Sequence, residues 1–337
     1  MLLYTPPKAA EFIPVIDLST DALTASEAIH RACRDTGFFY VSHHGVADEL
    51  VAAQFAMSQR FFDLPLPAKM TLDMRNVPST AGYEPVGAQK LDSQDAKATV
   101  APPDLKESFY CMVDLPADHP MSQRRIRGFG HNQWPMELPE MRPILLDYQR
   151  AMQQLGNRIL SLLALSLSLE ESWFEEYYQA PVSTVRLIKY PPQPGDAQFN
   201  QIGAGAHTDW GGITILAQDD VGGLEVRNTA GEWLIAKPIP GTFVVNLGDL
   251  MARWSNGIYS SNLHRVNNNI SGRDRYSIAT FYSPNPDAVI EPMPTCISED
   301  NPQRFAVCTA AEHISEMFKR SYGYAAGLTK DDRVPAA

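Results

Sequence analysis

The feature that most constrains the fold is a series of short β-rich segments in the second half of the chain. They begin at Val182 and end near Tyr282, and turn-forming clusters such as Gly222-Gly223 and Ala230-Gly231 separate them. Many short strands at this spacing are typical of an antiparallel sandwich or barrel. The predicted strands are Thr184–Tyr190, Thr214–Ala217, Leu224–Arg227, Leu234–Ala236, Thr242–Leu247, His264–Val266 and Tyr276–Tyr282.

The first half of the chain carries mainly helical patterns. Apolar residues recur at spacings of three and four from Leu138 to about Leu169, which predicts one long helix. Other segments complete the prediction: helices over Ala22–Asp35, Ala47–Phe62 and Ala310–Tyr322, strands over Phe12–Leu18 and Phe38–Val41, and loops over Arg75–Pro103. We therefore predict an α+β fold with a mainly β core, a helix-rich N-terminal region and a C-terminal helix.

Three residues in the β-rich half have the types and spacing of a metal site. His207 and Asp209 form a His-x-Asp pair with glycines on both sides, and His264 follows 55 residues after Asp209. In an antiparallel core, that separation can bring a later strand beside the pair. Two imidazoles and one carboxylate leave open positions on an octahedral metal, as non-haem Fe(II) oxygenases require. Zinc is the competing metal, although the His-Glu-x-x-His pattern of many zinc hydrolases is absent from the sequence.

Arg275 and Ser277 stand at the start of a predicted strand, 11 residues after His264. Side chains alternate along a strand, so residues i and i+2 point to the same face. A guanidinium and a hydroxyl on one face can bind a carboxylate, because the planar guanidinium matches both carboxylate oxygens. The pair therefore predicts a carboxylate site inside the β core. The alternative is a surface salt bridge of Arg275.

Composition and charge narrow the class of protein. The net charge is -11, from 28 Lys and Arg against 39 Asp and Glu, and no basic stripe is present, which argues against nucleic-acid binding. The four cysteines form no Cys-x-x-Cys pair, and the apolar run Ile159–Leu169 is too short to span a bilayer. We expect a cytoplasmic protein that acts on a small molecule as a monomer or weak homo-oligomer, with no membrane partner.

With these residues in place, the sequence resembles the isopenicillin N synthase-like family of Fe(II)/2-oxoglutarate dioxygenases. The matching stretches follow the family order from residue 13 to about residue 283, so the resemblance covers most of the chain. Each stretch alone is weak evidence, whereas the ordered set is specific. The stretches are Ile13–Asp17, Asp35–Val41, His43–Val46, Arg186–Pro191, Ala206–Gly211, Gly222–Val226, Val245–Asp249, Ser255–Gly257, Leu263–Val266 and Arg275–Ser277.

The resemblance implies a distorted double-stranded β-helix, or jelly roll, covered by N-terminal helices. It implies that the His-x-Asp pair and His264 bind Fe(II). It also implies that Arg275, Ser277 and the hydroxyl of Tyr190 hold the distal carboxylate of the co-substrate 2-oxoglutarate. Along the chain we expect a dioxygenase region over residues 10–125, the long helix and its connection over 126–180, the jelly-roll core over 181–290, and the C-terminal helix and tail over 291–337.

The activity implied by the resemblance is an O2-dependent oxidation of a small molecule, with succinate and CO2 formed from 2-oxoglutarate. Hydroxylation, desaturation and fragmentation of 2-oxoglutarate to ethylene all belong to this class. One departure concerns Ile188, which occupies the position of the Asn in the Asn-x-Tyr-Pro pattern of many plant members. Here Leu187–Pro191 is closer to the synthase itself and to the bacterial ethylene-forming enzyme. The alternative is therefore a 2-oxoglutarate-independent Fe(II) oxidase or cyclase, in which Arg275 and Ser277 bind a peptide substrate.

Three further residues are candidates for substrate contact. Arg186 precedes Tyr190 by four residues and shares its strand face, so it either reaches the pocket or forms a buried ion pair. The ethylene-forming enzyme has a pocket arginine at the matching place. Trp210 and Phe281 can line the same pocket, although an aromatic residue in a β core more often serves packing.

Overall fold

The computed structural model describes residues 13–77, 79–89, 103–124, 128–193 and 201–322, the side chains of 318–322 excepted. The helices are α1 (Ala22–Asp35), α2 (Asp48–Phe62), α3 (Leu66–Met70), α4 (Pro120–Gln123), α5 (Met141–Ser166), α6 (Asp249–Trp254) and α7 (Ala310–Tyr322). The strands are β1 (Val15–Asp17), β2 (Phe38–Ser42), β3 (Gly82–Glu84), β4 (Glu107–Cys111), β5 (Val113–Asp114), β6 (Phe129–Gly130), β7 (Val182–Tyr190), β8 (Ala204–His207), β9 (Ile213–Gln218), β10 (Leu224–Arg227), β11 (Trp233–Ile235), β12 (Phe243–Leu247), β13 (His264–Val266), β14 (Arg275–Ser283), β15 (Val289–Ile290) and β16 (Cys308–Thr309).

Two sheets form the β core. The larger has eight strands in the order β1-β2-β12-β9-β14-β7-β4-β3, and the smaller has four in the order β11-β10-β13-β8. Apart from the parallel pair β1–β2, the strands of both sheets pair antiparallel. One buried apolar cluster contains residues of both sheets, so the sheets face each other across it. This is the jelly-roll arrangement expected from the sequence.

Alternation along the strands of the large sheet gives it two apolar faces. Ile188 and Ala279 belong to the cluster between the sheets, whereas Leu187 and Ile278 belong to the cluster under the helices. Successive side chains of a strand point to opposite faces, so a sheet that is covered on both sides reads as a continuous apolar run. The inner face is the one that lines the candidate site.

The long helix α5 covers the outer face of the large sheet. Its buried side includes Met141, Leu145, Met152 and Ile159, the positions that the spacing of three and four predicted. A Cβ at Gly156 would lie 2.5 Å from the ring of Tyr282 on β14, so glycine allows the helix to approach the sheet closely. Helices α1 and α2 pack along α5 and complete this layer.

The predicted order of elements is confirmed, with changes at some ends. Helices α1 and α7 have the predicted bounds, whereas α5 is shorter at both ends than Leu138–Leu169. The loop prediction for Arg75–Pro103 was wrong at β3, where pairing with β4 imposes strand geometry on Gly82–Glu84. Strand β8 was not predicted, because Ala204–His207 has little β propensity of its own and is held by pairing with β13. Phe12, the predicted start of the first strand, lies outside the described residues.

Candidate active site

Strand pairing brings the three predicted metal ligands together. β8 ends at His207, β13 begins at His264, and the antiparallel register places these two residues opposite each other. Asp209 lies in the loop that follows β8. One nitrogen of each imidazole and one oxygen of the carboxylate all lie within 4.8 Å of one another. Asp209 and His264, which are 55 residues apart in sequence, thus lie in one cluster with His207 on the inner side of the small sheet.

Hydrogen bonds orient the carboxylate of Asp209, which is 7% exposed. Its Oδ2 accepts from the hydroxyl of Thr214 at 2.7 Å and from the amide of Asn246 at 2.8 Å. Its Oδ1 lies 3.7 Å from Nε2 of His264. One oxygen is therefore fixed by the protein, and the other is directed at the imidazoles, where a metal can take it as a ligand.

The two imidazoles are positioned in a related way. Nδ1 of His207 lies 2.8 Å from the carbonyl of Gly205, and Nδ1 of His264 lies 3.4 Å from the carbonyl of Asn262. Because a carbonyl can only accept, the His207 contact places the hydrogen on Nδ1 and leaves the Nε2 lone pair available. The ring centroids are 4.2 Å apart. Backbone carbonyls that hold the far nitrogen of a histidine are a usual support for metal-binding imidazoles.

The protonation states at the cluster suit a divalent cation. Burial, and to a smaller extent the neighbouring His264, lower the pKa of His207 to about 3. Burial raises the pKa of Asp209, but the two histidines and the hydrogen bonds from Asn246 and Thr214 outweigh it and hold this pKa below its ordinary value. A neutral imidazole and an ionised carboxylate are the forms that bind metals.

The loop that carries Asp209 is anchored by the N-terminus of α6. The backbone N–H of Asp249 donates to the carbonyl of Asp209 at 2.7 Å, and that of Leu250 donates to the carbonyl of Trp210 at 3.2 Å. A Cβ at Gly248 would lie 2.2 Å from the carbonyl oxygen of Gly211, so only glycine fits at this contact. Gly211, which follows the His-x-Asp pair, therefore packs directly against the backbone of Gly248.

A cavity extends from the cluster to the inner face of the large sheet, and Arg275 lies on its wall. Arg275 is 1% exposed. Its Nη2 donates to Oε1 of Gln218 at 3.2 Å, and its guanidinium lies 4.7 Å from the ring centre of Tyr190. Its Nε and Nη1 are buried without a hydrogen-bond partner among the described residues. A buried guanidinium with two unpaired nitrogens can bind an anion, and its burial rules out the surface salt bridge considered from the sequence.

Ser277 and Tyr190 line the same cavity beside Arg275. The register of β7 and β14 pairs Arg275 with Tyr190, and Ser277 with Ile188. Ser277 is 2% exposed and Tyr190 is 4% exposed. The three residues predicted to hold a carboxylate therefore share one wall of the cavity, across from the metal-ligand cluster.

Arg186 both reaches the cavity and forms a buried ion pair, the two alternatives considered from the sequence. It lines the cavity, and its Nη2 donates to Glu84 and to Gln89, both at 2.8 Å. Its Nε donates to the hydroxyl of Ser108 at 3.1 Å, and its guanidinium stacks 4.6 Å from the ring centre of Tyr110. Arg186 is thus a pocket residue whose charge is already matched by a buried carboxylate.

The remaining candidates differ from each other. Phe281 lines the cavity, whereas Trp210 is half-buried and is not among the residues that line it. The carbonyl of Trp210 accepts from Nε2 of His313 on α7 at 3.1 Å. Sequence reasoning gave no role to Lys106, which also lies on the cavity wall. Lys106 directly precedes β4, and which of its neighbouring side chains face inward depends on strand pairing that the sequence does not specify.

Comparison with known proteins places this site in a family. A family model described as the N-terminal region of a non-haem dioxygenase in morphine synthesis matches residues 13–137, and that of the 2OG-Fe(II) oxygenase superfamily matches residues 181–284. The 2-oxoglutarate-Fe(II) type oxidoreductase hxnY of Emericella nidulans is 38% identical over 94% of this chain and 93% of its own length. The homoarginine-6-hydroxylase 2-ODD-233 of Oryza sativa is 37% identical over 84% of this chain and 89% of its own.

Solved structures agree. A full-length Neurospora crassa protein, crystallised in complex with alpha-KG, matches with a TM-score of 0.80 at 28% identity, over 92% of this chain and 96% of that one. JOX2 in complex with 2OG, Fe and JA matches with a TM-score of 0.74 at 32% identity, over 94% and 86% of the two chains. The chain belongs to the isopenicillin N synthase-like family of 2OG-Fe(II) oxygenases.

The protein is therefore an Fe(II)- and 2-oxoglutarate-dependent dioxygenase that uses O2. This confirms the prediction made from the motifs and favours it over the 2-oxoglutarate-independent alternative. Within the described residues, none of the helices has both the length and the apolar character needed to cross a lipid bilayer.

Proposed function

We propose that His207, Asp209 and His264 bind the Fe(II), that Arg275, Ser277 and Tyr190 bind the distal carboxylate of 2-oxoglutarate, and that the enzyme hydroxylates a small molecule. The observation that carries this proposal is the buried guanidinium of Arg275, whose Nε and Nη1 have no hydrogen-bond partner among the described residues, in the same cavity as the metal-ligand cluster. A carboxylate ligand can supply the acceptors that these two nitrogens lack.

The donor set of the cluster fits Fe(II). Two imidazoles and one carboxylate occupy one side of a metal and leave the other positions for the co-substrate and O2. All the donors are nitrogen or oxygen atoms, and the four cysteines, whose thiolates would favour softer metals, lie outside the cluster. When bound, Fe(II) and 2-oxoglutarate together activate O2 for oxidation of the substrate, with succinate and CO2 as the other products.

The protein's own groups supply position and charge. The hydrogen bonds to Oδ2 of Asp209 hold its carboxylate in one orientation, so no reorganisation is needed when the metal binds. The guanidinium of Arg275 fixes one end of the co-substrate and thereby orients its other end toward the metal-ligand cluster. The apolar residues between the sheets, such as Phe281 and Ile188, exclude water from the reacting groups.

The substrate we propose is a small molecule with polar heteroatoms. The cavity wall beyond Arg275 carries Arg186, which is held by Glu84 and Gln89, and the aromatic Phe281. Such a wall combines hydrogen-bonding groups with an aromatic surface. In support, the Neurospora crassa protein has also been crystallised with thymine, and a relative from Oryza sativa is named a homoarginine-6-hydroxylase.

We also propose that the enzyme works as a cytoplasmic monomer or weak homo-oligomer. All the candidate ligands come from one chain. Cys33, Cys111, Cys296 and Cys308 are free thiols, which is usual for a reducing compartment. Light scattering during size-exclusion chromatography tests the assembly, and a stable dimer would contradict the proposal.

The function is tested by titrating anaerobic, Fe(II)-loaded protein with 2-oxoglutarate and then admitting O2 with a panel of small polar metabolites. We expect a weak visible absorption band on titration, and succinate formation that a true substrate stimulates in equal amount to its hydroxylated product. Ethylene in the headspace, or an unsaturated product, would replace hydroxylation with the corresponding reaction. Absence of the band and of succinate would refute the assignment of the site.

A further inference from the structure

Lys106 is a buried cation on the cavity wall for which the proposed function has no role. Its side chain is 2% exposed, and its Nζ donates to Oδ2 of Asp104 at 2.5 Å. The other oxygen of Asp104 accepts the backbone N–H of Gly205 at 3.0 Å. Gly205 lies on β8, two residues before His207. The Asp104 carboxylate therefore fixes the Lys106 ammonium beside the strand that leads to the metal-ligand cluster.

The ammonium of Lys106 can make more hydrogen bonds than it makes here. An ammonium carries three N–H donors and accepts none. In the part of the chain that the structure describes, Asp104 is the one acceptor within hydrogen-bond distance of Nζ. Leaving buried donors without acceptors is unfavourable. Since Lys106 lines the cavity, a ligand in the cavity can supply the missing acceptors.

Strand register places Lys106 in the same row as the candidate carboxylate site. β14 and β7 pair Arg275 with Tyr190, and β4 and β7 pair Glu107 with Lys189. Lys106 directly precedes β4, and continuing the second register by one residue puts it beside Tyr190, on the side of β7 that is opposite to β14 and Arg275. Neighbouring strands lie about 4.8 Å apart, so the row from Lys106 to Arg275 spans about 10 Å. A carboxylate bound over Tyr190 would therefore lie between the side chains of Lys106 and Arg275.

A bound carboxylate can accept hydrogen bonds from several sides, since its two oxygens offer about four lone-pair sites. Arg275, Ser277 and Tyr190 line the cavity from β7 and β14, and Nε and Nη1 of Arg275 have no hydrogen-bond partner among the described residues. Lys106 lines the same cavity from the β4 side, so its ammonium can add a donor there. Arg186 does not compete for this part, because its charge is matched by Glu84 farther along the wall.

Resting on the function proposed above, we propose that Lys106 donates a hydrogen bond to the distal carboxylate of 2-oxoglutarate, opposite the guanidinium of Arg275. Asp104 then acts as a positioning residue that holds the ammonium in place. Because the Lys106–Asp104 pair is neutral as a whole, it supplies donors to the carboxylate while Arg275 supplies the balancing charge.

The test compares two ligands of the anaerobic, Fe(II)-loaded protein: 2-oxoglutarate, and 2-oxopentanoate, which lacks the distal carboxylate. The measured quantity is the ratio of the two dissociation constants, and each constant is obtained from the visible absorption band during titration. The variants are Lys106→Met, the charge-free pair Lys106→Met with Asp104→Asn, and Arg275→Gln. Lys189→Met is the matched control, since Lys189 pairs with Asp274 at 2.9 Å and faces away from the cavity on the same sheet.

We expect the double variant to lower the preference for 2-oxoglutarate about tenfold, as loss of a charge-assisted hydrogen bond does. Lys106→Met alone should lower it further, because the orphaned Asp104 then repels the carboxylate. Lys189→Met should stay within about twofold of the unmodified protein. A double variant that keeps the full preference would overturn the inference, and so would equal weakening of both ligands.

The Arg275→Gln arm separates this inference from the proposed function. If Arg275→Gln also keeps the preference for 2-oxoglutarate, the carboxylate site itself is misassigned and both proposals fail. If Arg275→Gln loses the preference while the Lys106 variants keep it, the site stands and only the role of Lys106 is refuted.

Discussion

The two ends of the cavity are built in opposite ways. At the metal end, His207, Asp209 and His264 each have one polar atom held by the protein and another directed at a common point. At the carboxylate end, as we call the part of the cavity proposed to bind 2-oxoglutarate, the guanidinium of Arg275 has one hydrogen-bond partner among the described residues, Gln218. At the metal end the protein fixes the ligand atoms before any ligand binds, whereas at the carboxylate end it leaves hydrogen-bond donors unpaired.

This difference follows from what each end must recognise. A metal is bound by a few atoms at short distances, so the protein gains by fixing those atoms in advance. A carboxylate co-substrate must bind and leave as succinate in every turnover, so its receptor keeps donors that only the ligand satisfies. The comparison predicts that damage to the metal end removes iron, while damage to the carboxylate end leaves iron bound and affects the co-substrate.

The largest effect is expected for Asp209→Ala. Loss of a proposed direct ligand should weaken Fe(II) binding by more than about 100-fold, since even the residues that support metal ligands contribute about 10- to 100-fold. Turnover should be lost with it. Fe(II) affinity is measured anaerobically by competition with a chelator, and succinate formation gives the activity.

The control for Asp209→Ala is Asp220→Ala, which removes an exposed carboxylate paired with Arg273 at 2.7 Å. Both variants should keep the secondary structure of the unmodified protein. Iron-dependent turnover that survives in Asp209→Ala would contradict the ligand assignment.

A smaller effect of a different kind is expected for Arg275→Gln. The affinity for 2-oxoglutarate should fall by about 10- to 100-fold, because a charged hydrogen-bonding partner is lost, while Fe(II) affinity stays the same. Without 2-oxoglutarate, the thermal unfolding temperature should not fall, because the variant loses a buried guanidinium with two unpaired nitrogens. The matched control is Arg273→Gln, at an exposed ion pair two residues away. Equal losses of iron and co-substrate would mean that Arg275 has only a structural role.

The sequence predicts the two ends of the cavity better than the wall around Arg186. The metal end could be predicted because His207 and Asp209 are neighbours in sequence and the fold needs to bring only His264 to them. The common face of Arg275 and Ser277 could also be predicted, because side chains alternate along a strand. The polar wall around Arg186 was not, because its partner Glu84 lies 102 residues away on a segment predicted as loop.

Thr214→Val tests whether the metal end is fixed in advance. The change keeps the side-chain shape and removes the hydroxyl that donates to Oδ2 of Asp209 at 2.7 Å, while Asn246 keeps its bond. We expect about a tenfold loss of Fe(II) affinity, with 2-oxoglutarate affinity unchanged at saturating iron. Thr280→Val is the control, because the buried hydroxyl of Thr280 has no hydrogen-bond partner among the described residues. Equal iron affinities in the two variants would show that the orientation of Asp209 does not depend on this bond.

The smallest effect we expect concerns pH, and it too belongs to the metal end. The pKa of His207 is lowered to about 3, chiefly by burial, against about 6.5 in an unfolded chain. Between these two values the unfolded state binds more protons, so the free energy of unfolding of the metal-free protein falls as the pH is lowered through this window. The slope from this one group is at most about 1.4 kcal/mol per pH unit. His207→Gln should flatten the fall of the unfolding temperature between about pH 6.5 and pH 5, whereas Arg275→Gln, which keeps His207, should leave it unchanged. If both variants kept the same slope as the unmodified protein, burial of a neutral His207 would not be what separates the two ends.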